Sequence, residues 1–176
     1  MPFSFYAAIV PPFQKMLNNL NGLLCKAEAY CDTENLPPED LIYAKLAPDM
    51  LPFAYQIKSA VVHSSGAIAA VCKGVFSPDM TEPPGTFAGL RQRIEDGQAI
   101  LAAIIADDFD MLPGQPMRFQ IKTYRADFTA DTFLLSFSVP NFYFHATTAY
   151  DILRAKGLTI GKVDYIGQLP LRKMTI

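Results

Sequence analysis

Residues 132–157 read TFLLSFSVPNFYFHATTAYDILRAKG, and this stretch decides the fold because it is long, apolar and almost free of charge. No Lys, Arg, Asp or Glu lies between Phe133 and Tyr150. Asn141, His145 and Thr148 nevertheless recur at helical spacing among aromatic and aliphatic residues. The pattern predicts a buried helix with polar groups inside it, irregular near Pro140 and ended by Gly157.

Working outward, the residues before this helix change period from 3.6 to 2. Met117, Phe119 and Ile121 alternate with Arg118, Gln120 and Lys122, and the alternation resumes from Tyr124 to Phe128, which predicts a short β-hairpin. Earlier still, residues 86–105 carry Phe87, Leu90, Ile94, Ile100, Leu101 and Ile104 at helical spacing and are expected to turn them inward. Residues 107–116 are expected to be connection, and the acidic cluster Asp107, Asp108 and Asp110 lacks the spacing and glycine of a calcium loop.

A further helix is predicted from Asp49 to Lys73, closed by Gly74, with Asp49, Gln56 and His63 recurring every seven residues on roughly one face. The short segment at Pro38, Glu39 and Asp40 has the composition of a helix start. The first helix spans about Ser4 to Tyr30 with Ser4 as N-cap, and Pro11 and Pro12 predict a kink or a short turn followed by a restart. Residues 158–176, with two Gly and a Pro, are expected to pack as irregular chain across one end. Four long amphipathic helices with a hairpin before the last predict a mainly α, four-helix-bundle domain over residues 1–176.

The bulk composition narrows the function classes. With 176 residues the chain is long enough for one well-buried domain, and 51% hydrophobic against 18% charged residues argues against disorder. A net charge of −2 supplies no footprint for nucleic acid or an acidic membrane and leaves room for a small neutral ligand. Three cysteines, Cys25, Cys31 and Cys72, form no C-x-x-C and fit neither a disulfide framework nor a zinc ribbon. The N-terminal stretch has no basic start and its apolar run is broken at Pro11, so no signal peptide and a cytoplasmic location are expected. No run is a clean membrane span.

The candidate site is a set of polar residues on facing helices: Gln56 and His63 on the second, Asn141, His145 and Thr148 on the last, with Tyr150 nearby. Both histidines of the chain fall in long apolar helices. A buried imidazole needs partners, since an unpaired polar group costs about 1 to 3 kcal/mol. His145 reads either as a core histidine bonded to a hydroxyl or carbonyl, or as a ligand-binding or acid–base group. A metal needs three or four ligands, and the position four residues after His145 is Ala149. No phosphate loop, G-x-S-x-G elbow or paired-carboxylate pattern is present.

The segments LAPDM (46–50) with Gln56, PNFYFHATTAYDILR (140–154) and IGKVDYIG (160–167) resemble an uncharacterised bacterial family, domain of unknown function nineteen-ninety-three, grouped with the DinB/YfiT-like four-helix bundles. The resemblance covers nearly the whole chain. It implies a bundle, frequently a homodimer, with a three-histidine metal site, one ligand on helix two and two in H-x-x-x-H on helix four. Some such relatives are thiol-dependent transferases or hydrolases. Carried over, His145 matches the first helix-four ligand, Ala149 stands where the second belongs, and Gln56 occupies the helix-two position, with His63 two turns on. The expectation is a degenerate metal site and no cofactor, in a ligand-binding or non-catalytic homodimer. The alternative is a metal-dependent thiol-linked enzyme holding zinc or nickel through His63 and His145.

Overall fold

The computed structural model describes residues 4–169. The first helix, α1, is Phe5–Glu34, capped by the Ser4 hydroxyl, which accepts from the Ala7 amide at 3.1 Å. It runs through Pro11 and Pro12 without the predicted restart. Val10, Phe13 and Leu17 are buried around the two prolines, so packing holds the turn that two missing N–H donors would weaken. The helix ends at Asn35, which takes the left-handed conformation. A four-residue helix, α2 (Glu39–Ile42), follows as its proline and acidic start predict.

The next helix, α3, starts at Phe53 rather than Asp49, because Pro52 stands in extended conformation and cannot continue a turn backwards. Asp49 is therefore off the helix and does not share a face with Gln56 and His63. Helix α3 runs as Phe53–Val61, a π-helical turn Val62–Gly66, and Ala67–Val71. Its first segment is buried nearly all round, as expected of a helix enclosed by neighbours. Gly74, at φ +76°, turns the chain into strand β1 (Val75–Phe76).

Helix α4 (Phe87–Ala102) is capped by Thr86 and buries Phe87, Leu90, Ile94 and Leu101, whereas Ile100 is exposed, contrary to the expectation from its spacing. Gly97 lets α4 approach the π-turn of α3: a β-carbon there would lie 2.8 Å from Ser65 Oγ and 3.0 Å from Val61 Cγ1. The expected connection contains a short helix, α5 (Ala106–Asp110).

Strands β2 (Pro116–Ile121) and β3 (Tyr124–Thr129) pair antiparallel, with Lys122 at φ +51° in the tight turn. The alternating residues carry this pair, and β1 adds to it in parallel, giving sheet order β1-β2-β3. Two residues are too few for a periodic signal, so β1 was invisible in the sequence.

The opening stretch forms α6, as Ala130–Phe133, a second π-turn Leu134–Ser138, and Val139–Ala155. The irregularity expected near Pro140 is this π-turn, placed just before the residue that cannot donate a backbone hydrogen bond. The helix is amphipathic rather than buried throughout: Phe142, Ala146 and Ala149 are in the core, but Tyr143 and Phe144 face outward. Gly157, at φ +97°, follows its end.

The segment expected to be irregular holds a short helix, α7 (Lys162–Ile166), laid along α1 by a Lys26–Asp164 ion pair at 2.6 Å and an Asn19 Nδ2 bond to the Tyr165 carbonyl at 2.8 Å. Its last seven residues, 170–176, lie outside the described part. The chain is thus mainly helical with one small sheet. No helix among the described residues is long and apolar enough to cross a membrane.

Candidate functional site

Helices α3 and α6 run antiparallel against each other, pairing Gln56 with His145 at one end and His63 with Ser138 further along. Both π-turns fall at this contact. The Ser138 hydroxyl donates to the His63 carbonyl at 3.0 Å, bridging one π-turn to the other. A π-turn adds a residue to one turn of helix and re-aims the side chains beside it, which is why such turns recur at functional positions.

Gln56 is 2% exposed and each end of its amide makes one hydrogen bond. Its Nε2 donates to the Leu51 carbonyl at 2.8 Å, which leaves Oε1 as an acceptor, and His145 Nδ1 lies 2.7 Å from it. Nδ1 must therefore carry the proton, and Nε2 of a neutral His145 presents a lone pair. Tyr55 and Phe144 set their rings edge-on to this imidazole, with centroids at 6.0 and 5.3 Å.

His63 stacks on His145, with ring centroids 5.7 Å apart and planes 16° from parallel. Phe76 and Phe137 complete the enclosure at 5.7 and 5.5 Å. His63 is therefore a half-buried member of the cluster. Its Nδ1 is buried with no hydrogen-bond partner. Burial, and secondarily the facing His145, pushes the His63 imidazole down to about 4, and burial does the same to His145. Both rings are neutral at pH 7.

The remaining predicted residues divide. Asn141, one turn before His145, spends its Nδ2 on the Phe137 carbonyl at 2.7 Å, within the second π-turn. Thr148 donates to the Phe144 carbonyl at 2.8 Å and so ties its own helix rather than the imidazole. Tyr150 packs edge-on to Tyr165 at 5.8 Å, on the α7 side, and is not brought to the histidines.

A divalent metal fits this donor set poorly. Among the described residues no three His, Cys, Asp or Glu side chains stand together as metal ligands. Ala149 is 0% exposed where the resemblance places a third ligand, and both amide atoms of Gln56 are already engaged.

Sequence reasoning missed a second polar group on α3. Lys58 is 1% exposed, donates to the Asp79 carbonyl at 2.8 Å and to the Thr81 carbonyl, and pairs with the Asp79 carboxylate at 3.3 Å. The same carboxylate pairs with Arg93 from α4. Burial alone would raise the Asp79 carboxyl, but hydrogen bonds from Thr81 and Lys58 with Arg93 alongside hold it well below the usual carboxylate range. The only local hint was Asp79 two residues before Thr81, whose amide it accepts at 2.9 Å.

An antiparallel helix pair with paired π-turns, enclosing two neutral imidazoles of which one, His145, is oriented by a glutamine, defines a mainly helical protein with a polar, aromatic-walled core site. The chain belongs to the family Domain of unknown function (DUF1993), whose model matches residues 5–166. A DinB family member protein from Shewanella denitrificans is similar in structure, with a TM-score of 0.83, 30% sequence identity, and coverage of 96% of this chain and 95% of that one. Comparison with curated proteins gave no match.

Proposed function

We propose that this chain is a DinB-type four-helix bundle, formed by α1, α3, α4 and α6, that binds a small neutral molecule at His145 without a metal and acts as a homodimer. The observation that carries the reading is the 2.7 Å contact between Gln56 Oε1 and His145 Nδ1. It consumes the imidazole nitrogen facing α3 and the amide that would otherwise serve as a helix-two ligand. What remains is one lone pair on His145 Nε2, an acceptor for an O–H, N–H or S–H group of a ligand. Neutral rings at pH 7 and the aromatic surroundings favour an uncharged guest.

Elemental analysis of protein purified without chelator separates this from the metal-bearing alternative, together with titration of low-molecular-weight thiols and alcohols followed through the His145 ring signals. The reading expects sub-stoichiometric metal and saturable ring shifts by at least one donor-bearing compound. Stoichiometric zinc or nickel that disappears in His145→Ala contradicts it.

A second reading is a metal-dependent, thiol-linked transferase or hydrolase. The unpartnered Nδ1 of His63 beside His145 favours it, and so does the likeness to a DinB family member. It expects metal-stimulated turnover of a thiol conjugate, which the same preparation tests.

A further inference from the structure

On the opposite side of the α3 π-turn from His145 lies a cleft of about 390 Å³, bounded by α3, β1 and α4. Its size falls within the range of small-molecule pockets, roughly 300 to 1,000 Å³. Val61, Val62, Ala69, Ala70, Phe76 and Ile100 make an apolar lining. Phe76 separates it from the imidazole pair, since the ring that lines the cleft also packs on His63. The exposure of Ile100, anomalous for its helical position, is explained by its place in this lining.

The charges around the cleft do not balance. Asp79 is the single carboxylate shared by Lys58, buried behind the wall, and Arg93, in the wall itself. Lys73 adds a cation at the rim and has no carboxylate partner among the described residues. Asp96 is the other carboxylate of the lining, and it accepts from Gln92 Nε2 at 2.9 Å. Three cations thus meet two carboxylates, leaving one positive charge uncompensated beside an apolar surface. Lys73 is exposed at the rim, so this charge faces solvent beside the apolar lining and is open to an incoming anion.

We propose that this cleft is a binding site for a small apolar carboxylate, its hydrocarbon body on the Val61, Ala69, Phe76 and Ile100 surface and its carboxylate on Lys73 and the Arg93 side of the wall. A monoanion closes the charge count, and an amphipathic one uses the apolar lining. The site is independent of the His145 reading, because it shares only the wall formed by Phe76 and the π-turn.

Calorimetric titration of the full chain near neutral pH with sodium octanoate, octanamide and octylamine tests this, with backbone amide spectra locating the contact. Saturable octanoate binding is expected, with shifts at Ala69, Phe76 and Ile100, and with the amide and the amine bound at least about tenfold more weakly. Lys73→Gln, an exposed substitution, lowers octanoate affinity about tenfold, and Ala69→Leu, which fills the cleft, abolishes it. Absence of saturable octanoate binding overturns the proposal. So does equal affinity for octylamine, an undiminished affinity in both variants, or shifts confined to the His145 wall.

Discussion

At the scale of single residues, the state of His145 follows from what Gln56 can offer. Once Gln56 Nε2 is spent on the Leu51 carbonyl, only an acceptor remains for the imidazole. Gln56→Leu keeps the volume but leaves the Leu51 carbonyl and His145 Nδ1 unpaired. Chemical denaturation should show a loss of about 1 to 3 kcal/mol for such orphaned buried groups. The two imidazoles also couple stability to pH. Their folded values near 4 lie below the ordinary 6.5, so between those values the unfolded chain binds more protons than the folded one. Stability is full above about 6.5 and falls as pH drops toward 4. The ceiling is about 3 kcal/mol per ring before solvent screening reduces it. The depressed Asp79 carboxyl adds a further loss only at more acidic pH, where that group protonates. Denaturation midpoints at pH 7 and pH 4.5 measure the histidine part, and equal midpoints would show the rings to be solvated. Gln56, His63 and His145 could be nominated from sequence because they are rare polar residues in apolar helices. Their convergence could not, because it depends on how α3 and α6 pack. Thr148 was nominated by helical spacing and Tyr150 as a nearby hydrogen-bonding group, but Thr148 bonds its own helix and the Tyr150 ring packs on Tyr165.

At the scale of elements, the helix pair works because each partner widens by one π-turn where they meet. The sequence shows where a helix is disturbed, as at Pro140, but not that Val62–Gly66 is wound wide, since no proline marks it. The start of α3 was misplaced by four residues for a related reason: Asp49 looks like a helix start, while Pro52 fixes the extended residue that ends the preceding loop. The close approach of α4 to the first π-turn rests on Gly97. Gly97→Ala gains about 1 kcal/mol of helix propensity but forces a methyl against Ser65 and Val61, an overpacking cost of about 1 to 3 kcal/mol. Net destabilisation of about 1 kcal/mol is expected in thermal or chemical unfolding, with altered shifts for His63. A stabilised variant would mean that the π-turn yields freely.

At the scale of the whole molecule, helix periodicity in the four long segments and the alternation of residues 117–128 carried the mainly helical architecture and the β2–β3 pair. The parallel strand β1 and the route of the C-terminal segment along α1 were not legible, because both are fixed by contacts distant in sequence. Phe144, 57% accessible and edge-on to His145, is the residue at which the proposed homodimer is tested. Sedimentation equilibrium should find a dimer for the native chain and a monomer for Phe144→Glu. A native monomer would remove the dimer from the account.

The central claim, a neutral His145 fixed by Gln56 rather than by a metal, is tested most directly by long-range nitrogen–proton spectra of the two histidines at pH 7. The protein should be purified without chelator and measured before and after EDTA. A protonated Nδ1 and a bare Nε2 on His145, unchanged by EDTA, are predicted from the 2.7 Å contact. A protonated Nε2, or ring signals that move when EDTA is added, would contradict it.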